Sequence, residues 1–313
     1  KLPPTSFPQD GRATRGAAYM LLADVYLTQK KYVLAEQALL SVTKAGYTLL
    51  SDYASVYALS NKNSQESIFQ LQYQQGNQGQ ESNFLYPFLP LSESVKTITG
   101  ITSQNRQGGG WNVPTQAFIS SYEPDDKRLP ASIAIAEGTG PIGAMVIESV
   151  KSPVGYTTPA NKRSYALIKK YLHAHNLENN TDDNFPVYRY SEALLSMAEA
   201  LNEQNKGTEA LNYLNMVRSR AGLTASQESD QVRLRAIIAR ERRVELAFEN
   251  KRWLDLVRTG RAVEVMNENG IYLKGRFNNL LPQSYKVTQN RLVYAIPQRE
   301  ILIGGLEQNP GYN

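Results

Sequence analysis

The segment Tyr190-Ser-Glu-Ala-Leu-Leu-Ser-Met-Ala-Glu-Ala-Leu201 decides the predicted fold of this chain. Its apolar and small residues recur at the spacing of one helix face. Gly207-Thr208 then predicts a turn and an N-cap, and a second helical pattern runs from Ala210 to Val217. We therefore predict a helical hairpin, with alanines where the two helices cross closely.

A similar hairpin is predicted near the start of the chain. Apolar residues recur with helical spacing from Ala17 to Tyr26, the pattern breaks at 29–31, and it resumes from Ala35 to Val42. Gly46 then predicts a left-handed helix stop. Each hairpin covers about 30 to 35 residues, the size of a tetratricopeptide unit.

A third helix pair is predicted from Asp230 to Asn250 and from Arg252 to about Glu268. The predicted fold class is therefore mainly α, with tetratricopeptide-like helical hairpins as the scaffold. Residues 271–313 carry few helix signals, and we expect them to wrap over the helices.

The residues between the first two hairpins differ in character. Gln, Asn and Gly are frequent there, and apolar runs predict short strands at Ser132–Ala136, Ala144–Val150 and Tyr165–Tyr171. This indicates a loop-rich module inserted into the helical scaffold. Long loops on a rigid scaffold commonly carry binding residues.

The composition excludes several classes of protein. The chain has no cysteine, which excludes disulfides, thiolate catalysis and cysteine-ligated zinc. Its net charge of +5 is small for 313 residues and both signs are interspersed, so nucleic acid is not the expected partner. No apolar run approaches the roughly 18 to 20 uncharged residues that span a bilayer.

Three glutamates predict an ion-pair network inside the scaffold. Glu241, Glu245 and Glu249 lie four residues apart, so like charges follow one stripe of a helix, where they repel each other unless paired. Glu241 also falls on the apolar stripe, and its burial would require a cationic partner. The candidate partners on neighbouring helices are Arg218, Arg220, Arg252 and Arg258.

The inserted module also concentrates aromatic side chains beside amides and arginine. Aromatic rings stack on the C–H face of sugars while their polar edges still form hydrogen bonds. The alternative is local core, which the sequence favours for Trp111 and Phe118 because the segment between them resembles a turn entering a helix. The candidate ligand-binding residues are Tyr73, Phe84, Tyr86, Asn105, Arg106, Trp111 and Tyr122.

Catalysis is not predicted from these residues. Glycoside hydrolysis needs two facing carboxyl groups, whereas Glu93 is the only acid from Ser82 to Tyr122. With two histidines in the chain and no serine nucleophile motif, acyl transfer is also disfavoured. Binding without turnover is the better interpretation.

No cofactor or metal site is predicted either. Gly138-Thr-Gly-Pro-Ile-Gly143 matches the dinucleotide pattern G-x-G-x-x-G, but Pro141 lies inside the turn and the residues that follow are strand-like. A hairpin loop is the favoured interpretation. His173 and His175, the only histidines, are interpreted as ordinary loop residues rather than metal ligands.

Several segments carry a resemblance that no single motif provides. "RATRGAAYMLLADVYLTQKKYVLAEQAL", "GGGWNVPTQAFISSYEPDDKR", "NFPVYRYSEALLSMAEALNE", "ERRVELAFENKRWLDL" and "IPQREI…QNPGY" occur in this order. Together they resemble the SusD/RagB family of outer-membrane nutrient-binding lipoproteins. The resemblance implies a SusD-like scaffold of helical hairpins, with the loop-rich module as its ligand face.

The resemblance also implies a function. Such a protein would capture oligo- or polysaccharides on the surface of Bacteroidetes-type bacteria, as a non-enzymatic lid on a TonB-dependent (SusC-like) outer-membrane transporter. Its helical face would dock the transporter, and it would contact the membrane only through a lipid anchor missing from this sequence. The alternative is a tetratricopeptide-type scaffold that binds a peptide or protein partner.

Family members are usually longer at the N-terminus, so we expect 1–313 to be one SusD-like domain lacking its N-terminal part. Its expected segments are a hairpin at 12–50, the inserted ligand module at 51–185, hairpins at 186–270 and the wrapping segment at 271–313.

Overall fold

A computed structural model describes residues 2–7, 9–106, 108–141 and 143–312. These residues group into two compact units, one ending at Glu249 and the other beginning at Asn250.

The described residues form eleven α-helices and six β-strands, none of the helices being long and apolar enough to cross a membrane. The helices are α1 (Arg15–Thr28), α2 (Tyr32–Thr43), α3 (Lys96–Thr99), α4 (Gln116–Ile119), α5 (Arg128–Ser132), α6 (Tyr190–Asn202), α7 (Gly207–Arg220), α8 (Gln231–Glu245), α9 (Arg252–Arg258), α10 (Ala262–Arg276) and α11 (Gln298–Gly304). The strands are β1 (Ser67–Leu71), β2 (Ser92–Ser94), β3 (Ile133–Thr139), β4 (Met145–Lys151), β5 (Arg163–Ile168) and β6 (Phe185–Arg189).

The first hairpin is confirmed as α1 and α2. The Thr14 hydroxyl accepts a hydrogen bond from the Ala17 amide at 3.4 Å and caps the start of α1. The turn to α2 passes through Lys30 in a left-handed conformation (φ +57°), and Gly46 (φ +87°) follows α2 as predicted. One helix face buries Met20 and Leu39, among others, in the shared core of the hairpins.

The second hairpin, α6 and α7, packs on the first through the same core. Helix α6 is buried over almost its whole length because α2, α7 and α8 all pack against it. Its turn differs from the prediction. Gly207 is the first residue of α7 and Lys206 precedes it as the N-cap, because Asn205 turns the chain with φ +61° and the Lys206 amide donates to the Leu201 carbonyl at 3.0 Å.

The third predicted helix pair is partly wrong. Helix α8 ends at Glu245, before the predicted Asn250, because Phe248 takes a left-handed conformation (φ +66°). The predicted second helix is two helices, α9 and α10, separated at Gly260 (φ +74°). Helix α8 closes the first unit, whereas α9 and α10 belong to the second.

The inserted module begins and ends on one pair of strands. β1 leaves the first hairpin and pairs antiparallel with β6, which leads directly into α6. The remaining strands form a four-stranded sheet in the order β2-β4-β3-β5, in which β2 is parallel to β4 and the other pairs are antiparallel. The three predicted strands are confirmed as β3, β4 and β5, although β5 ends at Ile168 rather than Tyr171.

The dinucleotide-like glycines lie in the β3–β4 hairpin, as the hairpin interpretation predicts. Gly138 is within β3, where a Cβ atom would approach the Val146 carbonyl oxygen to 1.9 Å. Its role is therefore close strand pairing. Ile142, within the motif, lies outside the described residues.

One face of this sheet packs on a short 3₁₀ helix, Tyr86–Phe88, and its flanking residues. Leu85 and Leu89 are buried against Ala134 and Leu167 of β3 and β5. This small core holds the loop that carries Trp111, described below.

The second unit contains α9, α10 and α11. Residues 271–312 hold more helix than predicted, since α10 continues to Arg276 and α11 precedes the terminal segment. The side chain of Gln308 closes that segment by binding both the amide and the carbonyl of Ile296, at 2.8 and 2.9 Å. The predicted wrapping over the helices stays a prediction.

Candidate functional site

Tyr86 lies in the interior of the module, and its assignment as a ligand residue stays a prediction without support from its position. Its side chain is buried, and its hydroxyl lies 2.8 Å from Nε2 of His175. Burial raises the pKa of this phenol. Tyr86 therefore helps to fix the segment that contains His175 rather than facing a ligand.

Asn105 is also buried and has a supporting role. Its side-chain amide donates to three backbone carbonyls, those of Tyr86 at 3.4 Å, Leu89 at 3.3 Å and Pro90 at 3.1 Å. A buried amide that satisfies three carbonyls fixes the course of the chain. The structure thus shows a backbone-positioning role for Asn105, and its sugar-binding assignment stays a prediction.

Tyr122 is the third buried candidate. Its ring packs edge-on against Phe118 at 5.4 Å, and its hydroxyl donates to the Val244 carbonyl at 3.5 Å. Desolvation raises the pKa of the hydroxyl. Because it packs against α8, the Tyr122 side chain is almost completely shielded from solvent.

Tyr73 and Phe84 are half-buried in an aromatic cluster. Their rings meet edge-on at 6.1 Å, and Phe84 also packs edge-on against Tyr171 at 4.9 Å and Phe185 at 5.8 Å. Such edge-to-face packing stabilises the region beside the β1–β6 pair. It leaves these rings partly accessible but not free to stack as an open platform.

Arg106 is exposed, as its assignment requires, but its charge is paired. Its guanidinium forms an ion pair with the Glu93 carboxylate, and the Gln104 side chain lies 3.4 Å from the same carboxylate. The pairing follows from the backbone: Ser92 and Asn105 exchange two hydrogen bonds of 2.9 Å, which brings their neighbours together. The sequence showed Glu93 only as an isolated acid.

Trp111 is 64% exposed, so its predicted core placement is wrong. Its backbone is nevertheless fixed. The Trp111 amide donates to the Pro87 carbonyl at 2.9 Å, and the Gly110 amide donates to the Leu89 carbonyl at 2.7 Å. The loop thus holds the indole in place through the main chain and leaves the ring accessible.

Two glycines let this loop lie close to its support. A Cβ atom at Gly109 would lie 2.5 Å from the Asn105 side-chain nitrogen and 2.7 Å from the Leu89 carbonyl oxygen. At Gly110, which has φ +80°, a Cβ atom would lie 3.1 Å from the hydroxyl of Tyr165 on β5. Tyr165 therefore lies beneath the loop, and nothing in the sequence pattern links it to Gly110.

We call the described residues 105–106 and 108–112 the Trp111 loop. The structure places Arg106 and Trp111 on it as exposed side chains and Asn105 beneath it. The other aromatic candidates are not part of this loop. Tyr73 packs against Phe84, and Tyr122 packs against Phe118.

The predicted charged network is present around α8. Glu241 pairs with Arg218 at 3.0 Å, as predicted, and with Arg128 at 2.5 Å. Glu245 pairs with Arg220 at 2.5 Å, also from the predicted set, and with Arg189 at 3.1 Å.

Glu245 and Glu249 are fully enclosed by cations. Arg220, followed by Arg189, lowers the pKa of Glu245 far below its usual range despite burial. Glu249 lies 2.8 Å from Arg189 and 2.6 Å from Lys170, and these cations lower its pKa to about 2.

Lys170 shows the opposite balance within the same cluster. Burial, with the nearby Arg189 charge, lowers its pKa to about 8 even though Glu249 favours the charged form. Arg189 and Lys170 thus share the one Glu249 carboxylate.

Side chains of this cluster also donate hydrogen bonds to the last turn of α8. The Glu245 carbonyl accepts hydrogen bonds from the Tyr53 hydroxyl at 2.7 Å, from Arg189 at 3.1 Å and from Lys170 at 3.2 Å. Cations and hydroxyl donors at a helix C-terminus satisfy carbonyls that lack partners within the helix. The network therefore stabilises the scaffold.

Three cations that contact these glutamates were not among the predicted partners. Arg189 starts from β6, Arg128 from α5 and Lys170 from the residues after β5, all distant from α8 in sequence. The other two predicted arginines, Arg252 and Arg258, belong to the second unit, where Arg258 pairs with Asp255 of its own helix at 2.7 Å. Their pairing with the three glutamates stays a prediction.

The two histidines serve as structural residues. Nδ1 of His173 lies 2.6 Å from the Asp183 carboxylate, and Nδ1 of His175 lies 2.9 Å from the His173 carbonyl oxygen. Within the described ranges, no group of three or more acidic or histidine side chains is arranged to hold a metal ion.

Comparison with known proteins agrees with this architecture. The model of the SusD family matches residues 65–312. SusD-like protein P2 of Formosa agariphila is 29% identical over 99% of this chain, and the match covers 62% of that protein. This chain thus spans less than two thirds of the length of that relative.

Solved structures share the fold. Surface glycan-binding protein A from Bacteroides fluxus superimposes with a TM-score of 0.74 at 24% identity, covering 99% of this chain and 66% of that one. Surface glycan-binding protein A from Bacteroides thetaiotaomicron in complex with laminarihexaose superimposes with a TM-score of 0.70 at 23% identity, covering 98% and 66% of the two chains.

Proposed function

This chain belongs to the SusD family, and from that premise we propose that it captures glycans at the bacterial cell surface without turning them over. The observation that carries the proposal is the exposed indole of Trp111 on a loop fixed by main-chain hydrogen bonds. An aromatic ring held in this way can stack on the C–H face of a sugar ring.

The support beneath the loop bears on affinity. Binding costs free energy when flexible groups must be ordered, and that cost falls when the site is already in place. Asn105 and the 2.7 Å hydrogen bond from Gly110 hold the Trp111 loop before any ligand arrives. Amide and guanidinium groups of Gln104 and Arg106 provide donors of the kind that sugar hydroxyls accept.

Relatives support the ligand class. Two of the structures with the same fold are described as glycan-binding proteins, one of them in complex with laminarihexaose. Binding without hydrolysis is supported by Glu93, the one acid in the sequence from Ser82 to Tyr122, whose carboxylate is paired with Arg106.

Delivery to a TonB-dependent outer-membrane transporter, by a lipid-anchored form of the protein, is the second part of the proposal. Family membership supports it. The helical scaffold also exposes apolar side chains suited to a protein partner: Tyr19, Leu22 and Val25 on α1 are 38%, 38% and 42% exposed. Co-purification of the transporter from outer-membrane extracts with the tagged chain, reduced by Leu22→Asp, tests this part.

The glycan proposal is tested by affinity electrophoresis in gels containing laminarin. We expect the wild-type chain to be retarded and Trp111→Ala to lose about tenfold or more in affinity, equivalent to roughly 1.4 kcal/mol. Val154→Ala is the matched control, because Val154 is 60% exposed on the turn after β4 but lies outside the Trp111 loop. Retardation of Trp111→Ala equal to that of the wild type would contradict the proposed site.

A peptide ligand is the second candidate function. A groove lined by Leu2, Arg15, Ala18, Tyr19 and Leu22 runs beside α1 and is mainly apolar. If the ligand is a peptide, we expect the chain to bind to a peptide array and not to be retarded in any polysaccharide gel. The substitution Leu22→Asp should then abolish binding to the array.

A further inference from the structure

The Trp111 loop lies in a stretch of chain with little charge. Between Lys96 and Glu123 the only charged side chain is that of Arg106. The groups around it are the Trp111 indole, the hydroxyl of Tyr165, and side-chain amides such as those of Gln104 and Asn112. These groups stack on or hydrogen-bond to uncharged sugars.

The charge of Arg106 is cancelled locally. Its guanidinium is in direct contact with the Glu93 carboxylate, and both side chains are partly exposed, with 59% and 31% of their surface accessible. The pair therefore presents a donor and an acceptor side by side at the surface. Such a pair matches hydroxyl groups, which donate and accept together.

A second cation is close in sequence to Tyr165. Arg163 begins β5, and its Nε donates to the Gly140 carbonyl at 2.6 Å, in the β3–β4 turn. Arg163 is thus bonded to the β3–β4 turn, two residues along β5 from Tyr165, which lies beneath Gly110.

We infer that the Trp111 loop selects uncharged glycans over glycans that carry carboxylate or sulfate groups, an inference that rests on the proposed glycan-capture function. The Arg106–Glu93 pair is the specificity-determining feature. An anionic sugar that approaches Arg106 also meets the Glu93 carboxylate, and it cannot form a good ion pair without separating the two. An uncharged sugar meets no such opposition.

Salt dependence gives the first test. The wild-type chain is titrated calorimetrically with laminarin, an uncharged glucan, and with alginate, a polyuronate, at 0.05 and 0.5 M NaCl. We expect laminarin to bind with an affinity that changes by less than about twofold, since an uncharged ligand experiences little screening. We expect alginate to bind at least about tenfold more weakly than laminarin at both salt concentrations.

A charge variant gives the second test. Glu93→Gln keeps the size and hydrogen-bonding capacity of the side chain but leaves the Arg106 charge uncompensated. We expect it to bind alginate about fivefold or more tightly than the wild type at 0.05 M NaCl, with the gain lost at 0.5 M. The double variant Glu93→Gln/Arg106→Gln is the matched control, and it should lose the gain.

The outcomes separate this inference from the function on which it rests. Tight, salt-sensitive binding of alginate by the wild type would overturn the selectivity and leave glycan capture standing. Binding of neither polysaccharide would overturn both. Selective laminarin binding with no alginate gain in Glu93→Gln would remove the Arg106–Glu93 pair as the cause.

Discussion

The interior around α8 and the Trp111 loop use hydrogen bonds in opposite ways. In the interior, the Arg189 guanidinium binds the carboxylates of Glu245 and Glu249 and also donates to the Glu245 carbonyl, so these three side chains are engaged and buried. In the Trp111 loop, the main chain is bonded to Pro87 and Leu89 while the indole is left exposed. Charged side chains thus hold the scaffold together, whereas the uncharged ring of Trp111 stays accessible at the surface.

This difference predicts that stability and binding can be altered separately. Removing a charge from the interior should lower the free energy of unfolding without altering the ligand site of the folded protein. Removing the ring of Trp111 should change binding while stability is unaffected.

The largest effect is expected for Glu245→Ala. Glu245 is fully buried and contacts the guanidinium groups of Arg128, Arg189 and Arg220, so its removal leaves buried cations without their counter-charge. We expect a loss of about 3 to 5 kcal/mol in the free energy of unfolding. Urea denaturation of the two chains measures it. A loss below about 1 kcal/mol would show that the network does little to hold the scaffold.

The next effect is a loss of stability in acid. Because its partners lower the pKa of Glu249 to about 2 from the usual 4.5, the unfolded chain binds a proton more readily than the folded one. The stabilisation is therefore present above pH 4.5 and is lost as the pH falls toward 2. We expect this group alone to contribute about 3 kcal/mol.

Thermal melts of the wild type and Glu249→Gln between pH 6 and pH 2 check this linkage. The difference in stability between the two proteins should shrink as the pH falls through that window. A difference that is independent of pH would contradict the lowered pKa of Glu249.

A smaller effect on stability, joined to an effect on binding, is expected for Asn105→Ala. Its amide serves three carbonyls beneath the Trp111 loop, so the change should cost about 1 to 3 kcal/mol. The loop would also lose its support, so laminarin affinity should fall although no ligand contact is removed. Unchanged affinity with reduced stability would show that Trp111 does not depend on this support.

The smallest effect on stability is expected for Trp111→Ala. Substitution of an exposed side chain away from caps and buried networks usually changes the unfolding free energy by less than about 0.5 kcal/mol. Differential scanning calorimetry of the wild type and the variant measures this. A loss above about 1.5 kcal/mol would show that the indole contributes to the core, so that stability and binding could not be altered separately at Trp111.

The comparison also explains what could be predicted from the sequence. The hairpins α1–α2 and α6–α7 were predictable because their apolar spacing is local. Arg218 and Arg220 were predictable as partners because they precede α8 by one short connection. Arg189 and Arg128 were not, since 56 and 117 residues separate them from Glu245 and only the folded sheet brings them there.

The sequence predicts which types of residue the candidate site contains, but not which of them are exposed. The sequence indicated aromatic and amide groups between Tyr73 and Tyr122, but their exposure depends on long-range packing. Tyr86 is buried because its hydroxyl meets His175, 89 residues away. Trp111 is exposed because hydrogen bonds to Pro87 and Leu89 turn its backbone outward, and no periodicity encodes them.

The most direct test of glycan capture by the Trp111 loop uses fluorescence. Trp253, which is half-buried, is the only other tryptophan in the chain, so Trp253→Phe leaves Trp111 as the sole reporter. Its accessibility to acrylamide is measured during titration with laminarin. We expect blue-shifted emission and a quenching constant at least about twofold lower at saturation, because a stacked sugar shields the ring. Calorimetric binding of laminarin with unchanged Trp111 emission and quenching would place the ligand elsewhere and exclude the Trp111 loop as the glycan site.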